Sequence, residues 1–89
     1  MSGEPNLVFL TRPGCHLCDE VRGQLAALAE LHGLRLDELS VESDPQSEGR
    51  FGQRIPVLLW EGSVVAEGRF SPEAAIEVVL ARAAGRTIW

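Results

Sequence analysis

The stretch TRPGCHLCDE, Thr11–Glu20, decides the fold and raises the main functional question. It places Cys15 and Cys18 three residues apart, directly after an apolar run and directly before a predicted helix. Such a pair can serve as a metal clip, a structural disulfide or a redox-active dithiol. The segments on either side and the composition of the chain distinguish among these three.

The composition predicts a small globular domain. The chain has 89 residues, of which 45% are hydrophobic and 24% are charged, and we expect one domain over residues 1–89 with a single modest core. Its formal net charge is −5 and its basic residues are scattered. Nucleic-acid binders carry clustered basic residues, so we expect no nucleic-acid partner.

The lack of a recognisable targeting signal and the low cysteine content favour a cytoplasmic protein. The N-terminal residues lack the basic and apolar regions of a signal peptide, and no segment approaches the roughly 18 apolar residues of a membrane span. We therefore expect no membrane partner, and we expect a monomer. Cys15 and Cys18 are the chain's two cysteines, which argues against a disulfide framework, and a reducing compartment disfavours a permanent structural disulfide.

The cysteine pair lies between a predicted strand and a predicted helix. The apolar run Leu7–Thr11 is closed by Pro13 and Gly14, which predicts a strand buried on both faces. From Leu17 onward apolar residues recur every three or four positions as far as Gly33, which predicts an amphipathic helix that ends on a glycine. The positions of this stripe are Leu17, Val21, Leu25 and Leu28, followed by Leu31 or His32.

The rest of the chain predicts a second strand, a short helix, a hairpin and a last helix. They are expected at Leu34–Val41, from Pro45, at Val57–Trp60 with Val64–Glu67, and from Ser71 to Gly85. A long strand–helix–strand connection implies a parallel crossover, to which the hairpin adds antiparallel strands. The predicted fold is α/β, a mixed four-stranded sheet flanked by helices in the order β-α-β-(short α)-β-β-α.

The position of Cys15 favours redox chemistry. A cysteine at the N-terminus of a helix faces unpaired amide groups and the positive end of the helix dipole, which lower cysteine pKa values to roughly 3.5 to 7.5 in such motifs. Cys18 lies one turn further in and is expected to be less exposed. This arrangement predicts a nucleophile at Cys15 and a resolving thiol at Cys18. His16 either favours the Cys15 thiolate as a cation or is an exposed residue without a role.

Two other interpretations of nearby residues stay open. A metal site needs further ligands, but His16 points elsewhere on the helix and His32 lies about four turns away, so we expect no metal ligands within one chain. A dimer that shares a zinc ion or an iron–sulfur cluster through two cysteine pairs remains an alternative. Arg12 could pair with a thiolate or a substrate carboxylate, or it could be a solvated loop residue.

These residues resemble the thioredoxin superfamily and, within it, the small glutaredoxin-like proteins of bacteria. The resemblance covers nearly the whole chain. It rests on the strand before TRPGCHLC, on the cysteine pair, on RIPVL at Arg54–Leu58, and on the hairpin that leads to EGRFSPEA. It implies a thioredoxin-like (glutaredoxin-like) fold.

The resemblance also implies roles for individual residues. It implies a cis Ile55–Pro56 bond that places Pro56 against the cysteines and leaves the Ile55 backbone free to pair with an incoming disulfide-bearing chain. It further implies that Arg12 and Gly68 contribute to glutathione binding. The sequence departs from glutaredoxins in having CHLC at the motif and Gly68-Arg69-Phe70-Ser71 where a double glycine and an aspartate usually stand.

The resemblance implies a thiol–disulfide oxidoreductase that needs no cofactor. Its partners would be a disulfide-bearing protein or glutathione, with glutathione as an alternative co-substrate, and a reductase or other thiol reductant. Catalysis is assigned to Cys15 and Cys18, and substrate binding to Arg12, His16, Ile55, Pro56 and Gly68. The alternatives are an electron or iron–sulfur carrier and an interaction module of the same fold without turnover.

Overall fold

The computed structural model describes residues 6–88, and its elements follow the predicted order. They are β1 (Asn6–Thr11), α1 (His16–Leu31), β2 (Arg35–Ser40), a 3₁₀ turn (Val41–Ser43), α2 (Pro45–Phe51), β3 (Val57–Trp60), β4 (Ser63–Glu67) and α3 (Pro72–Ile88). The prediction of one domain over residues 1–89 stays a prediction, because residues 1–5 and 89 lie outside the described part.

The four strands form one mixed sheet in the order β2-β1-β3-β4. Strand β1 pairs in parallel with β2 and antiparallel with β3, and β4 returns antiparallel beside β3. This arrangement confirms the predicted crossover and hairpin. The crossover is carried by α1, because parallel neighbours need a long connection whereas a hairpin needs only a tight turn.

The sheet buries apolar side chains on both faces. On one face Phe9 packs with α1 and α3, in a cluster that includes Leu25 and Val79. On the other face Leu10 packs with Phe51 of α2. Alternate residues of a strand point to opposite faces, so the run Leu7–Thr11 contributes to both clusters, as predicted for a strand buried on both sides.

The structure differs from the sequence prediction at both long helices. In α1 the buried residues are Cys18, Val21, Leu25 and Ala29, whereas Leu31 is 74% exposed. Leu31 is the last residue of the helix and follows buried Ala29 by two positions, which places it on the opposite side of the helix. Helix α3 continues through Gly85 to Ile88, since one glycine weakens a helix without ending it. No helix within residues 6–88 has the length and apolarity to cross a membrane.

Candidate active site

The loop after β1, the loop before β3 and the loop after β4 meet at one end of the sheet. Leu10 lies opposite Val57 in the β1–β3 pair, so Pro56 lies beside the end of β1, where the cysteine loop begins. Gly68, which follows β4, donates its backbone N–H to the carbonyl of Pro56 at 2.8 Å. The sheet register therefore brings together segments that are about forty and fifty residues apart in the sequence.

A tight turn carries the chain from β1 to the cysteines. The N–H of Cys15 donates to the carbonyl of Arg12 at 3.2 Å, which closes a four-residue turn. Pro13 occupies the second position of this turn, and Gly14 occupies the third with φ +80°, as a type II turn requires. The turn places Cys15 at the N-cap of α1, where its Sγ accepts a hydrogen bond from the N–H of Cys18 at 3.0 Å.

The two cysteines differ in exposure. Cys18 is completely buried within the cluster between the sheet and α1, whereas Cys15 is half-buried at the edge of that cluster. The structure joins their sulfur atoms in a disulfide with a Cα–Cα separation of 5.2 Å. This separation lies within the range found for protein disulfides, so the backbone accommodates the bond at this position.

The Ile55–Pro56 peptide bond is cis, and it lies next to the cysteine loop. Pro56 is buried and Ile55 is half-buried. Ile55 and Phe70 both pack against the cluster that contains Cys18. Within residues 6–88, the backbone N–H and carbonyl of Ile55 have no hydrogen-bond partner. These two groups can therefore pair with an extended chain laid across the site.

Arg12 is bound by residues of its own chain. Its Nη2 lies 3.0 Å from Glu48 and its Nη1 lies 3.3 Å from Glu42. Nη2 also donates to the carbonyl of Gly52 at 3.1 Å. The guanidinium thus connects the cysteine loop to α2, an arrangement that the sequence analysis did not anticipate because nothing in the sequence placed α2 beside Arg12.

His16 and Gly68 are the remaining predicted site residues. His16 is the first residue of α1, directly after Cys15, and is exposed. Its side chain makes no hydrogen bond or ion pair within the described part of the chain. Gly68 has φ +69° and is joined to Pro56 by its backbone hydrogen bond. The tertiary structure thus brings all seven predicted site residues to the same end of the sheet.

A charged cluster beside the motif was missed by the sequence analysis. Arg22 of α1 donates to both carboxylate oxygens of Glu38 on β2, and the Thr11 hydroxyl donates to Glu38 at 3.3 Å. The hydrogen bonds from Arg22 hold the pKa of the Glu38 carboxyl below its usual range. The same contacts, together with Asp19, raise the pKa of Arg22. The local sequence does not indicate the parallel register of β1 with β2, which places Glu38 beside Phe9 on the face of the sheet that α1 covers.

Among residues 6–88, no three His, Cys, Asp or Glu side chains are grouped so that they could hold a metal ion. The cysteine pair therefore supplies at most two ligands from this part of one chain. A metal or cluster shared between two chains would take two thiolates from each chain.

Comparison with known families gives a match over most of the chain. A profile of the family described as "Glutaredoxin-like domain (DUF836)" matches residues 6–82. Two mycobacterial proteins described as uncharacterized, Rv0508 of Mycobacterium tuberculosis and Mb0520 of Mycobacterium bovis, are each 35% identical over an alignment of 63 residues. The match covers 65% of this chain and 65% of each relative's length.

Solved structures share the fold at low sequence identity. Protein Ne2328 from Nitrosomonas europaea superposes with a TM-score of 0.70 at 24% identity, covering 88% of this chain and 93% of that one. Thioredoxin 1 from Thermosipho africanus superposes with a TM-score of 0.68 at 12% identity, covering 94% and 99%. These superpositions confirm the predicted α/β thioredoxin-like fold.

Proposed function

The chain belongs to the glutaredoxin-like domain family, and from that premise we propose that it is a thiol–disulfide oxidoreductase with Cys15 as the nucleophile and Cys18 as the resolving thiol.

The observation that carries the proposal is the difference between the two cysteines. Cys15 is half-buried, stands at the N-cap of α1 and accepts a hydrogen bond from the Cys18 N–H at 3.0 Å. An amide donor and the positive end of a helix dipole both stabilise a thiolate. Cys18 is completely buried, and its sulfur is bonded to that of Cys15. The accessible sulfur is thus the one whose anion is stabilised, as a nucleophile requires.

The reaction then runs in two exchanges. The Cys15 thiolate attacks one sulfur of a substrate disulfide, which forms a mixed disulfide and releases the other sulfur as a thiolate that takes a proton from water. The Cys18 thiol loses its proton and attacks the Cys15 Sγ, which forms the Cys15–Cys18 disulfide and releases the second substrate thiol. Two electrons pass from the dithiol to the substrate. An external dithiol or a reductase must return them.

The remaining predicted site residues act on the substrate in this proposal. The Ile55 backbone pairs with the substrate chain, Pro56 shapes the groove beside Cys15, and Gly68 holds the loop before α3 against Pro56. Arg12 positions the cysteine loop against α2 through Glu42 and Glu48, and His16 lies exposed beside Cys15, where it can face the substrate. A cytoplasmic location, a monomeric state and the absence of a cofactor, of a nucleic-acid partner and of a membrane partner belong to the same proposal.

The test is a redox titration of the cysteine pair in graded glutathione buffers, quenched by alkylation and read by mass. We expect a reversible intramolecular disulfide with a potential between about −120 and −270 mV. With a disulfide substrate, Cys15→Ser is expected to abolish exchange, whereas Cys18→Ser is expected to accumulate a mixed disulfide at Cys15. The Cys18→Ser chain serves as the matched control, because it also lacks one thiol but keeps the nucleophile.

Three results would contradict the proposal. Undiminished exchange by Cys15→Ser would remove the nucleophile assignment. Cysteines that stay reduced in every buffer would favour an interaction module without turnover. A visible chromophore or a bound metal after anaerobic purification would favour the electron or iron–sulfur carrier.

A further inference from the structure

Arg12 and the start of α3 that follows Gly68, the two groups to which the resemblance points for the carboxylates of glutathione, are engaged within this chain, and we propose that the site accepts an extended polypeptide disulfide with an apolar flank rather than glutathione disulfide. This inference rests on the proposed function, because it names the substrate class of the same Cys15 site. Glutathione is a tripeptide thiol with a free carboxylate at each end. A site that selects it needs a cation or free N–H groups for both ends.

Arg12, the first candidate receptor, is enclosed by two carboxylates of its own chain. Its guanidinium contacts Glu48 at 3.0 Å and Glu42 at 3.3 Å, and it also donates to the carbonyl of Gly52. Two carboxylates around one guanidinium leave an excess negative charge. A third carboxylate is therefore repelled, or it has to displace Glu48 and with it the contact between the cysteine loop and α2.

The start of α3, which follows Gly68 and is the second candidate receptor, is already capped by its own chain. Pro72 is the first residue of the helix and has no N–H. The N–H of Ala74 already donates to the hydroxyl of Ser71 at 3.3 Å. Glu73 places a carboxylate in the first turn. The helix end is thus capped and carries its own negative charge, which opposes the binding of another anion.

The positive charges that line the cleft beside Arg12 are also largely neutralised by ion pairs. It has a volume of about 760 Å³ and its lining includes Arg50 and Arg54. Arg54 forms an ion pair with Glu67, with Nε 2.7 Å from the carboxylate. Arg50 has no ion-pair partner within residues 6–88. Arg50 is consequently the group of this cleft that could still receive a carboxylate, and it provides a control for the proposal.

The groups left open around Cys15 suit a polypeptide. Ile55 and Phe70 are half-buried apolar side chains that pack against the same cluster as Cys15. The Ile55 backbone offers an unpaired N–H and an unpaired carbonyl. An extended segment can satisfy both backbone groups, and an apolar side chain next to its cysteine can cover Ile55 and Phe70.

The experiment measures how fast the reduced chain is oxidised by three disulfides at moderate ionic strength, with acid quenching, alkylation and mass detection. The first is glutathione disulfide, the second is the disulfide of glutathione ethyl ester, whose glycyl carboxylate is blocked, and the third is a short peptide disulfide with valine beside each cysteine. In each reaction two electrons pass from Cys15 and Cys18 to the disulfide, which leaves as two thiols.

We expect the peptide to react about tenfold faster than glutathione disulfide, and the ester to react at least as fast as glutathione disulfide. In the double variant Glu42→Gln with Glu48→Gln, we expect a roughly fivefold faster reaction with glutathione disulfide and no gain with the peptide. The matched double variant Glu30→Gln with Glu77→Gln removes two exposed charges from α1 and α3. It should leave both rates within about twofold of the original chain.

The outcomes separate the two proposals. If glutathione disulfide reacts faster than both its ester and the peptide, the oxidoreductase assignment stands and the substrate class is wrong. A lower glutathione rate in Arg50→Gln alone would likewise overturn the inference, because it would show a carboxylate received in the cleft. If none of the three disulfides oxidises Cys15 and Cys18, the proposed function itself fails.

Discussion

Gly68 donates its backbone N–H to the carbonyl of Pro56 at 2.8 Å and to the carbonyl of Arg54 at 3.2 Å. This shared hydrogen bond joins the loop before α3 to the segment that contains the cis Ile55–Pro56 bond beside the cysteine loop. Gly68 adopts φ +69° to make it, a conformation that residues with a Cβ disfavour. One backbone N–H therefore joins the two loops that border Cys15.

We expect Gly68→Ala to lower the free energy of unfolding by about 1 to 2 kcal/mol, because an L side chain is strained at positive φ. An added Cβ at Gly68 meets no atom within 4 Å, so the cost is conformational and not steric. Gly23→Ala, in the middle of α1 and equally unobstructed, should raise stability by about 0.5 to 1 kcal/mol. Denaturant titration of both variants measures the contrast, and equal stabilities would contradict it.

The ion pair between Arg22 and Glu38 predicts a loss of stability in acid. The pKa of Glu38 is lowered in the folded chain by the hydrogen bonds from Arg22, so folding favours the carboxylate. The stabilisation is fully present above the ordinary glutamate pKa of about 4.3, and it is lost as the pH falls through the lowered folded value.

Glu38→Gln is accordingly expected to cost about 0.5 to 1 kcal/mol at neutral pH, since Glu38 is partly exposed, and to cost less near pH 3. Denaturant titrations at the two pH values measure this difference. Asp37→Asn is the matched control, because Asp37 neighbours Glu38 and contacts the exposed Arg35 at 3.5 Å. A cost for Glu38→Gln that persists unchanged in acid would refute the electrostatic explanation.

Leu25 is expected to be a main contributor to stability. Its side chain is completely buried between α1 and the sheet, so Leu25→Ala should cost about 2 to 5 kcal/mol through lost burial and an unfilled cavity. The total free energy of unfolding of a small domain is roughly 5 to 15 kcal/mol. Leu31→Ala removes the same atoms from a side chain that is 74% exposed, and its unfolding free energy should change by less than about 0.5 kcal/mol.

His16 offers a test of charge next to the nucleophile. It is exposed, unpaired within the described residues, and adjacent to Cys15. A positive charge there stabilises the thiolate of the reduced form, and a negative charge opposes it. Under the proposed function, His16→Arg should therefore have the more oxidising potential and His16→Glu the more reducing one, about 30 mV apart. Equal potentials in glutathione buffers would show that position 16 does not influence the redox equilibrium.

Much of this protein follows from local sequence. The apolar run Leu7–Thr11 and the residues that close it specify β1, and the type II turn needs only the adjacent Pro13 and Gly14. Helix α1 follows from its periodicity, and Ser71 and Pro72 mark the start of α3. These signals are local because capping, turn geometry and amphipathic spacing depend on residues within one or two turns.

Only the tertiary structure decided what surrounds the cysteines. The register of β1 with β3 places Pro56 beside the cysteine loop, and the parallel register with β2 brings Glu38 to Arg22. The packing of α2 against the 3₁₀ turn places Glu42 and Glu48 on Arg12, a residue that the sequence left as a candidate substrate contact. The sequence by itself determined the cysteine pair and the order of elements, because both depend on neighbours along the chain. The carboxylate partners of Arg12 and Arg22 on other elements depend on strand register and helix packing, which pair residues that are 16 to 36 positions apart.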